Sequence, residues 1–243
     1  MGPRSNRARK RGGSMSDARK IVIVGAGESA EIAFEYFTHD SPHEVVAFAV
    51  EAKYRETDEL FGVPVIDFER ITDAYPPDRF GAFVALSSTF LNRARRKLYL
   101  ATKQKGYRCV SYVSSKAFVW RNVKIGENTM IFENNVLQYH VSVGDDTVLW
   151  SGNHVGHRTV IGSHVFIASH AVISGFCNVG DSCFLGVNCC LGDEVSIGED
   201  CVIGMGAVVP KSLKEPGRVY VGNPAKPLGK SAYEAFEVPS ELR

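Results

Sequence analysis

The sequence predicts two architectures in one chain: an N-terminal α/β domain, then an all-β parallel β-helix built of stacked triangular coils. Three observations predict this. A six-residue period runs unbroken through residues 113–209. A buried-strand pattern, K-I-V-I-V, feeds a Gly25-Ala26-Gly27 turn that opens a helical pattern. Glycine, at 23 of 243 residues, recurs directly after the periodic aliphatics.

The period comes first, because self-similarity at a fixed spacing decides the architecture. Stepping by six from Val113 meets Val, Ile or Leu seventeen times without an insertion, through Ile125, Leu137, Val155, Ile173 and Leu191 to Val209. The next residue is often glycine, as at Gly126, Gly144, Gly156, Gly162, Gly180, Gly198 and Gly204. Two positions before the aliphatic stands a small or medium residue, such as Thr129, Asn135, Ala171, Cys177 or Cys201. A helix repeats near 3.6 residues, so six is not a helical period. Six is even, so each repeat restarts the in-out alternation of a strand. Small residue in, next residue out, aliphatic in, then a turn: three such strands close an eighteen-residue coil, and coils stack like on like. Residues 113–209 supply a little over five coils.

This register places Cys177, Cys183, Cys189 and Cys201 in the small-residue column, as packing residues rather than ligands. Free thiols imply a reducing compartment, and a cytoplasmic location is expected.

Before the repeat, residues 20–24 read as a strand running into Gly25-Ala-Gly27-Glu28-Ser29-Ala30 and a helix. Glycines there permit close backbone approach, and a helix N-terminus favours a phosphate. Residues 45–50 read as a second strand ending at Glu51, with Lys53 just beyond, where polar groups can meet a ribose or base. Residues 81–86 suggest a third strand, and residues 92–106 a helix whose Arg93, Arg95, Arg96, Lys97, Lys103 and Lys105 read as a solvated face. Residues 108–113 read as a last strand feeding the coil. About 90 residues make half of a dinucleotide-binding (half-Rossmann) fold, which suits a nucleoside diphosphate better than NAD. The expected division is a disordered basic head at 1–19, a nucleotide-sugar-binding domain at 20–109, the β-helix at 110–213, and a C-terminal loop and tail at 214–243.

Formal net charge is +1, and no apolar run reaches the roughly 18 residues of a membrane span, so neither nucleic acid nor membrane is an expected partner. Of seven histidines, His39 and His43 read as bystanders in a polar loop. His157 follows Gly156 at a coil corner and points away from the core, where a neutral imidazole can accept a proton from an attacking amine or hydroxyl. His154, His157 and His170 are the residues a metal reading would use; we expect no metal, for lack of an acidic partner nearby in sequence.

The repeat, the N-H-V-G-H-R segment at 153–158, C-F-L-G-V-N at 183–188, V-I-G-M-G-A-V-V-P at 202–210 and V-G-N-P-A-K at 221–226 resemble bacterial hexapeptide acyltransferases. With the N-terminal G-x-G-x-x-A, the chain resembles the sialic acid O-acetyltransferase and bacillosamine-type nucleotide-sugar N-acetyltransferase group. The resemblance implies a left-handed β-helix and a homotrimer, with acetyl-CoA in the groove between neighbouring β-helices. It implies a sugar nucleotide, UDP-linked by default, on the N-terminal domain (Gly25, Gly27, Glu28, Ser29, Glu51, Lys53). It implies His157 as general base, Gly175 with its N–H near the thioester carbonyl, and Gly204, Gly206, Lys211 and Lys226 at the coenzyme. The implied activity is acetylation of a sugar amine or hydroxyl in glycan biosynthesis. Two departures stand out: Arg158 occupies the place of an acidic residue that orients the base in many relatives, and a second family histidine falls at Phe166. A γ-carbonic-anhydrase-like metalloenzyme and a non-catalytic nucleotide-binding scaffold are the competing classes.

Overall fold

The computed structural model describes residues 19–243; the basic head, apart from its last residue, lies outside the described residues. The N-terminal domain is a sheet of β1 (Lys20–Val24), β2 (Glu44–Val50), β3 (Glu59–Leu60), β4 (Val63–Asp67) and β5 (Gly81–Val84), in the order β3-β4-β2-β1-β5. β4, β2, β1 and β5 run parallel, and β3 pairs antiparallel with β4. Helices α1 (Glu28–Asp40), α2 (Ile71–Ala74) and α3 (Arg93–Gln104) flank it. The chain leaves β1 toward β2 on one side and returns to β5 on the other. The order therefore reverses between β1 and β5, where α/β sheets bind ligands outside the carboxyl ends of their strands.

From Tyr112 onward, two-residue strands stack in parallel at a register of eighteen, for example Val136↔His154↔Val172 and Phe166↔Phe184↔Val202. They form three faces. Face 1 includes Met130–Ile131, Val148–Leu149, Phe166–Ile167 and Phe184–Leu185; face 2 includes Val136–Leu137, His154–Val155 and Val172–Ile173; face 3 includes Ser142–Val143, Val160–Ile161 and Asn178–Val179. The aliphatic column is buried in coil after coil, with Leu137, Leu149, Val155, Ile167, Ile173, Leu185 and Ile203 all at 0% exposure. Cys177, Cys183, Cys189 and Cys201 are buried beside it, and burial pushes the Cys189 thiol up to about 12. These thiols are protonated packing groups.

The recurrent glycine has a cause other than turn flexibility. A Cβ on Gly156 would lie 2.5 Å from the Ser174 carbonyl carbon, and one on Gly144 would lie 2.6 Å from that of Gly162. The close stacking of coils excludes a side chain there. The positive φ falls instead two residues later, on non-glycine residues such as Asp146 (+53°), Arg158 (+59°) and His170 (+60°).

Several expectations are corrected. Residues 108–113 are not one strand: Cys109 bridges Ala82 in the α/β sheet, while Tyr112–Val113 pairs with Met130–Ile131 in the coil. The C-terminal segment is more than loop and tail. Strand Arg218–Val221 extends face 1 beside Val202–Ile203, and Tyr233 bonds Asp200. His39 lies in α1, 3.4 Å from Glu35, and His43 is buried against the Phe37 ring.

The basic face of α3 is not wholly solvated. Arg93 and Arg95 are buried, while Arg96 and Lys97 stay exposed. Arg95 Nε donates to Asp146 Oδ1 at 3.2 Å; Asn128 Nδ2 reaches the same oxygen at 2.8 Å, and His164 Nδ1 lies 2.8 Å from Oδ2. Asn128 also pairs with both the N–H and the carbonyl of Val84, at the end of β5. Arg93 meets Asp200 at 2.5 Å. The corner between faces 3 and 1 thus holds the N-terminal domain through buried, hydrogen-bonded charges, with Arg93 Nη1 and Arg95 Nη1 left without a partner. Removing one member strands the others without water. Asp146→Ala is expected to cost about 3–5 kcal/mol in urea unfolding; a loss below about 1 kcal/mol, the range of exposed pairs, would show that the network is not a fastening.

Candidate active site

His157 occupies the corner between faces 2 and 3, exposed as its position after Gly156 predicts. Its backbone N–H donates to Gln138 Oε1 at 3.1 Å. One coil on, Gly175 lies under the ring: a Cβ there would stand 2.6 Å from His157 Cε1. Phe176 meets the imidazole edge-on, with ring centres 5.0 Å apart. Among the described residues, no carboxylate lies within ion-pair distance of His157. The ring is therefore placed by packing, over a bare backbone and against an aromatic edge.

The Gly175 N–H, expected near the thioester carbonyl, donates to Asp193 Oδ1 at 2.9 Å. What Gly175 supplies in this structure is room for the imidazole. The corner column continues through Asp193 to Lys211, exposed beyond Pro210. Three strand spacings of about 4.8 Å put Lys211 about 14 Å from His157 along the coil axis, on the scale of an extended pantetheine arm. Gly204 and Gly206 lie at a different corner, between faces 1 and 2, and Lys226 begins the exposed strand Lys226–Ser231. Within one chain these three are not gathered with His157.

The residues expected at the nucleotide lie at the carboxyl ends of β1 and β2 and at the start of α1; of the six, only Ser29 lines the cleft described below. Gly25 has φ +126°, and a Cβ on it would stand 2.7 Å from the Ala85 carbonyl oxygen, so only glycine lets β1 turn this close to β5. Gly27 caps α1, and Glu28 and Ser29 form its first turn. Glu51 lies at the end of β2, 3.6 Å from Lys53. Beside Ser29, at the β1/β5 reversal, a cleft opens between the domains. Its walls include Ile32, Leu86, Ser87, Phe132, Trp150 and Phe166. Phe132 and Trp150 stack at 4.5 Å. Sequence reasoning missed these aromatics; their signal was a run of large rings at outward positions of face 1.

His154, His157 and His170 stand on a strand of face 2 and on two different corners. Among the described residues, no group of three or more His, Cys, Asp or Glu side chains is placed to hold a metal ion. No described helix is long and apolar enough to cross a membrane.

A β-helix with an exposed corner histidine, joined to a half-Rossmann domain, is the architecture of hexapeptide-repeat acyltransferases. The model of bacterial transferase hexapeptide repeats matches residues 140–175 and 176–211. No curated protein matches in sequence. A histidine-to-asparagine variant of perosamine N-acetyltransferase from Caulobacter crescentus, solved with CoA and GDP-perosamine, is 26% identical. The match covers 87% of this chain and 97% of that one, at a TM-score of 0.78. The acetyltransferase domain of PglB from Neisseria gonorrhoeae (23% identity, 86% and 100% coverage, TM-score 0.76) and WeeI from Acinetobacter baumannii (24%, 87% and 100%, 0.72) share the fold. The chain is an acyltransferase with a left-handed parallel β-helix, on the two-domain plan of these solved structures.

Gly175→Ala tests the placement of the ring. The nearest atoms belong to a movable side chain, so the fold should tolerate the change while the imidazole shifts. A displacement near 1 Å can cost about 10²-fold in rate, so acetyl transfer should fall about that far with an unchanged melting temperature. Full activity would show that the position of the ring is immaterial.

Proposed function

We propose that the protein transfers an acetyl group from acetyl-CoA to an amine on the sugar of a nucleoside-diphosphate sugar, with His157 as general base. The observation that carries this is an exposed imidazole, seated over Gly175, at the head of a corner column that ends in Lys211. The perosamine enzyme was solved with GDP-perosamine, which favours an amino sugar over a sugar hydroxyl as acceptor and makes GDP as good a candidate as UDP. In this reading the amine attacks the thioester carbonyl while His157 takes its proton. The tetrahedral intermediate collapses, the carbon–sulfur bond breaks, and coenzyme A leaves as the thiol once protonated. No acyl-enzyme forms. Lys211, with Lys226 of a neighbouring chain as a further candidate, meets the coenzyme's phosphates.

The geometry favours a site made by two chains. The N-terminal domain docks across face 1 and its two corners, through Tyr36–Glu133 on one side and Arg95–Asp146 on the other. His157 sits on the corner opposite that face. A sugar nucleotide in the β1/β5 cleft therefore faces away from the imidazole of its own chain, and a neighbour in a cyclic trimer would supply the imidazole it uses.

His157→Ala is expected to lower turnover by about 10²–10⁴-fold with acetyl-CoA affinity near that of the parent; retention of more than about a third of the activity removes His157 as the base. The two-chain site has its own test. Ser29→Trp should block the cleft, and His157→Ala should disable the base. Each mixed trimer of the two inactive variants keeps one of its three interfaces with an intact cleft and an intact imidazole, so it should recover about a third of parental activity. No recovery in verified mixed trimers would place both halves in one chain.

A further inference from the structure

Arg158 stands beside the base in the chain and is exposed. Its backbone N–H bonds the Tyr139 carbonyl at 2.8 Å, and its φ is +59°. The guanidinium carbon lies 5.5 Å from the centre of the Tyr139 ring and 6.0 Å from that of Phe176. Tyr139 belongs to the coil before it and Phe176 to the coil after, so the cation is braced on two aromatic supports. Among the described residues, its guanidinium makes no ion pair and no side-chain hydrogen bond. Its five N–H donors, fixed in a planar fork, are left facing solvent next to His157. An arginine held still and left unpaired is suited to receive a phosphate through paired hydrogen bonds.

Resting on the acyl-transfer reading above, we infer that Arg158 binds the diphosphate of the sugar nucleotide presented by the neighbouring chain. Two anionic groups enter the reaction. Coenzyme A separates its sulfur from its phosphates by the whole pantetheine arm, and the column beneath His157 carries that arm away toward Lys211. The acceptor's diphosphate is separated from the reacting amine by little more than the sugar ring. With the amine at His157, the acceptor's diphosphate is the one within reach of the next side chain. The cation thereby orients the substrate, and the orientation of the imidazole is left to Gly175 and Phe176.

The test is calorimetric titration of GDP, UDP and coenzyme A into the intact oligomer, as the parent, Arg158→Ala and Arg158→Lys, at low and moderate salt. The inference expects Arg158→Ala to weaken whichever nucleoside diphosphate binds the parent by about tenfold or more, with a shallower salt dependence. Coenzyme A affinity should hold, and Arg158→Lys should recover part of the loss, since the charge returns without the fork. Unchanged nucleotide affinity, with or without a lower melting temperature, would leave Arg158 a packing residue only. A loss confined to coenzyme A would assign it to the other substrate. Each of these overturns the inference while acetyl transfer by the parent enzyme, followed as thiol release, leaves the functional reading standing. If the parent binds neither GDP nor UDP, the inference and the sugar-nucleotide reading fall together.

Discussion

Like must stack on like: this constraint underlies the rest of the molecule. Each inward side chain rests on its counterpart eighteen residues away, at the spacing of neighbouring strands. A polar group or a longer chain in the aliphatic column would be buried without partners or without room. The aliphatic series is therefore unbroken, and the small column accepts cysteine, alanine and threonine. The corners escape this rule. Their side chains leave the coil, so they can carry chemistry without disturbing the core. Because the core fixes the register, corner residues eighteen apart fall into columns. His157, Gly175, Asp193 and Lys211 are aligned as a consequence of how the interior packs.

The second domain obeys a different logic. It is joined to the coil by a shared apolar seam, with Met130, Phe132 and Val148 packed among Phe37, Phe83 and Tyr112. A buried polar cluster then fixes its register. Asp146 carries the densest part of that cluster, receiving Arg95, Asn128 and His164. Asn128 ties the network to the carboxyl end of β5, one wall of the nucleotide-type cleft. Apolar contact alone would tolerate sliding; directional bonds to Val84 do not. The fastening therefore sets where the cleft lies relative to the coil, on the face opposite His157.

The periodic core was legible because every rung repeats the same test, and His157 was legible because the register gives each residue an inward or outward direction. The first strand and helix were legible from Gly25 and Gly27. What escaped depended on distant partners. Arg95 reads as one cation among many on a basic helix until Asp146, 51 positions away, is brought against it. The hairpin of β3 and β4 is short and carries Pro64, so it lacks the alternation of a longer strand. The Asp146–His164 pair and the bracing of Arg158 by Phe176 were within reach, since each joins residues eighteen apart in one corner column. Tyr139 is the neighbour eighteen before His157, and it braces Arg158 from the other side. The occupation of the Gly175 N–H by Asp193 follows the same spacing. Reading corners by column, as the core is read by column, would have found them.

A crystal structure of the oligomer with coenzyme A and a bound nucleoside diphosphate tests the central claim most directly. The account predicts the coenzyme's sulfur beside His157, its arm running along the corner column toward Lys211, and the nucleotide held at the β1/β5 cleft of an adjacent chain. Coenzyme A bound away from that corner, or a nucleotide whose own chain supplies the imidazole facing it, would contradict it.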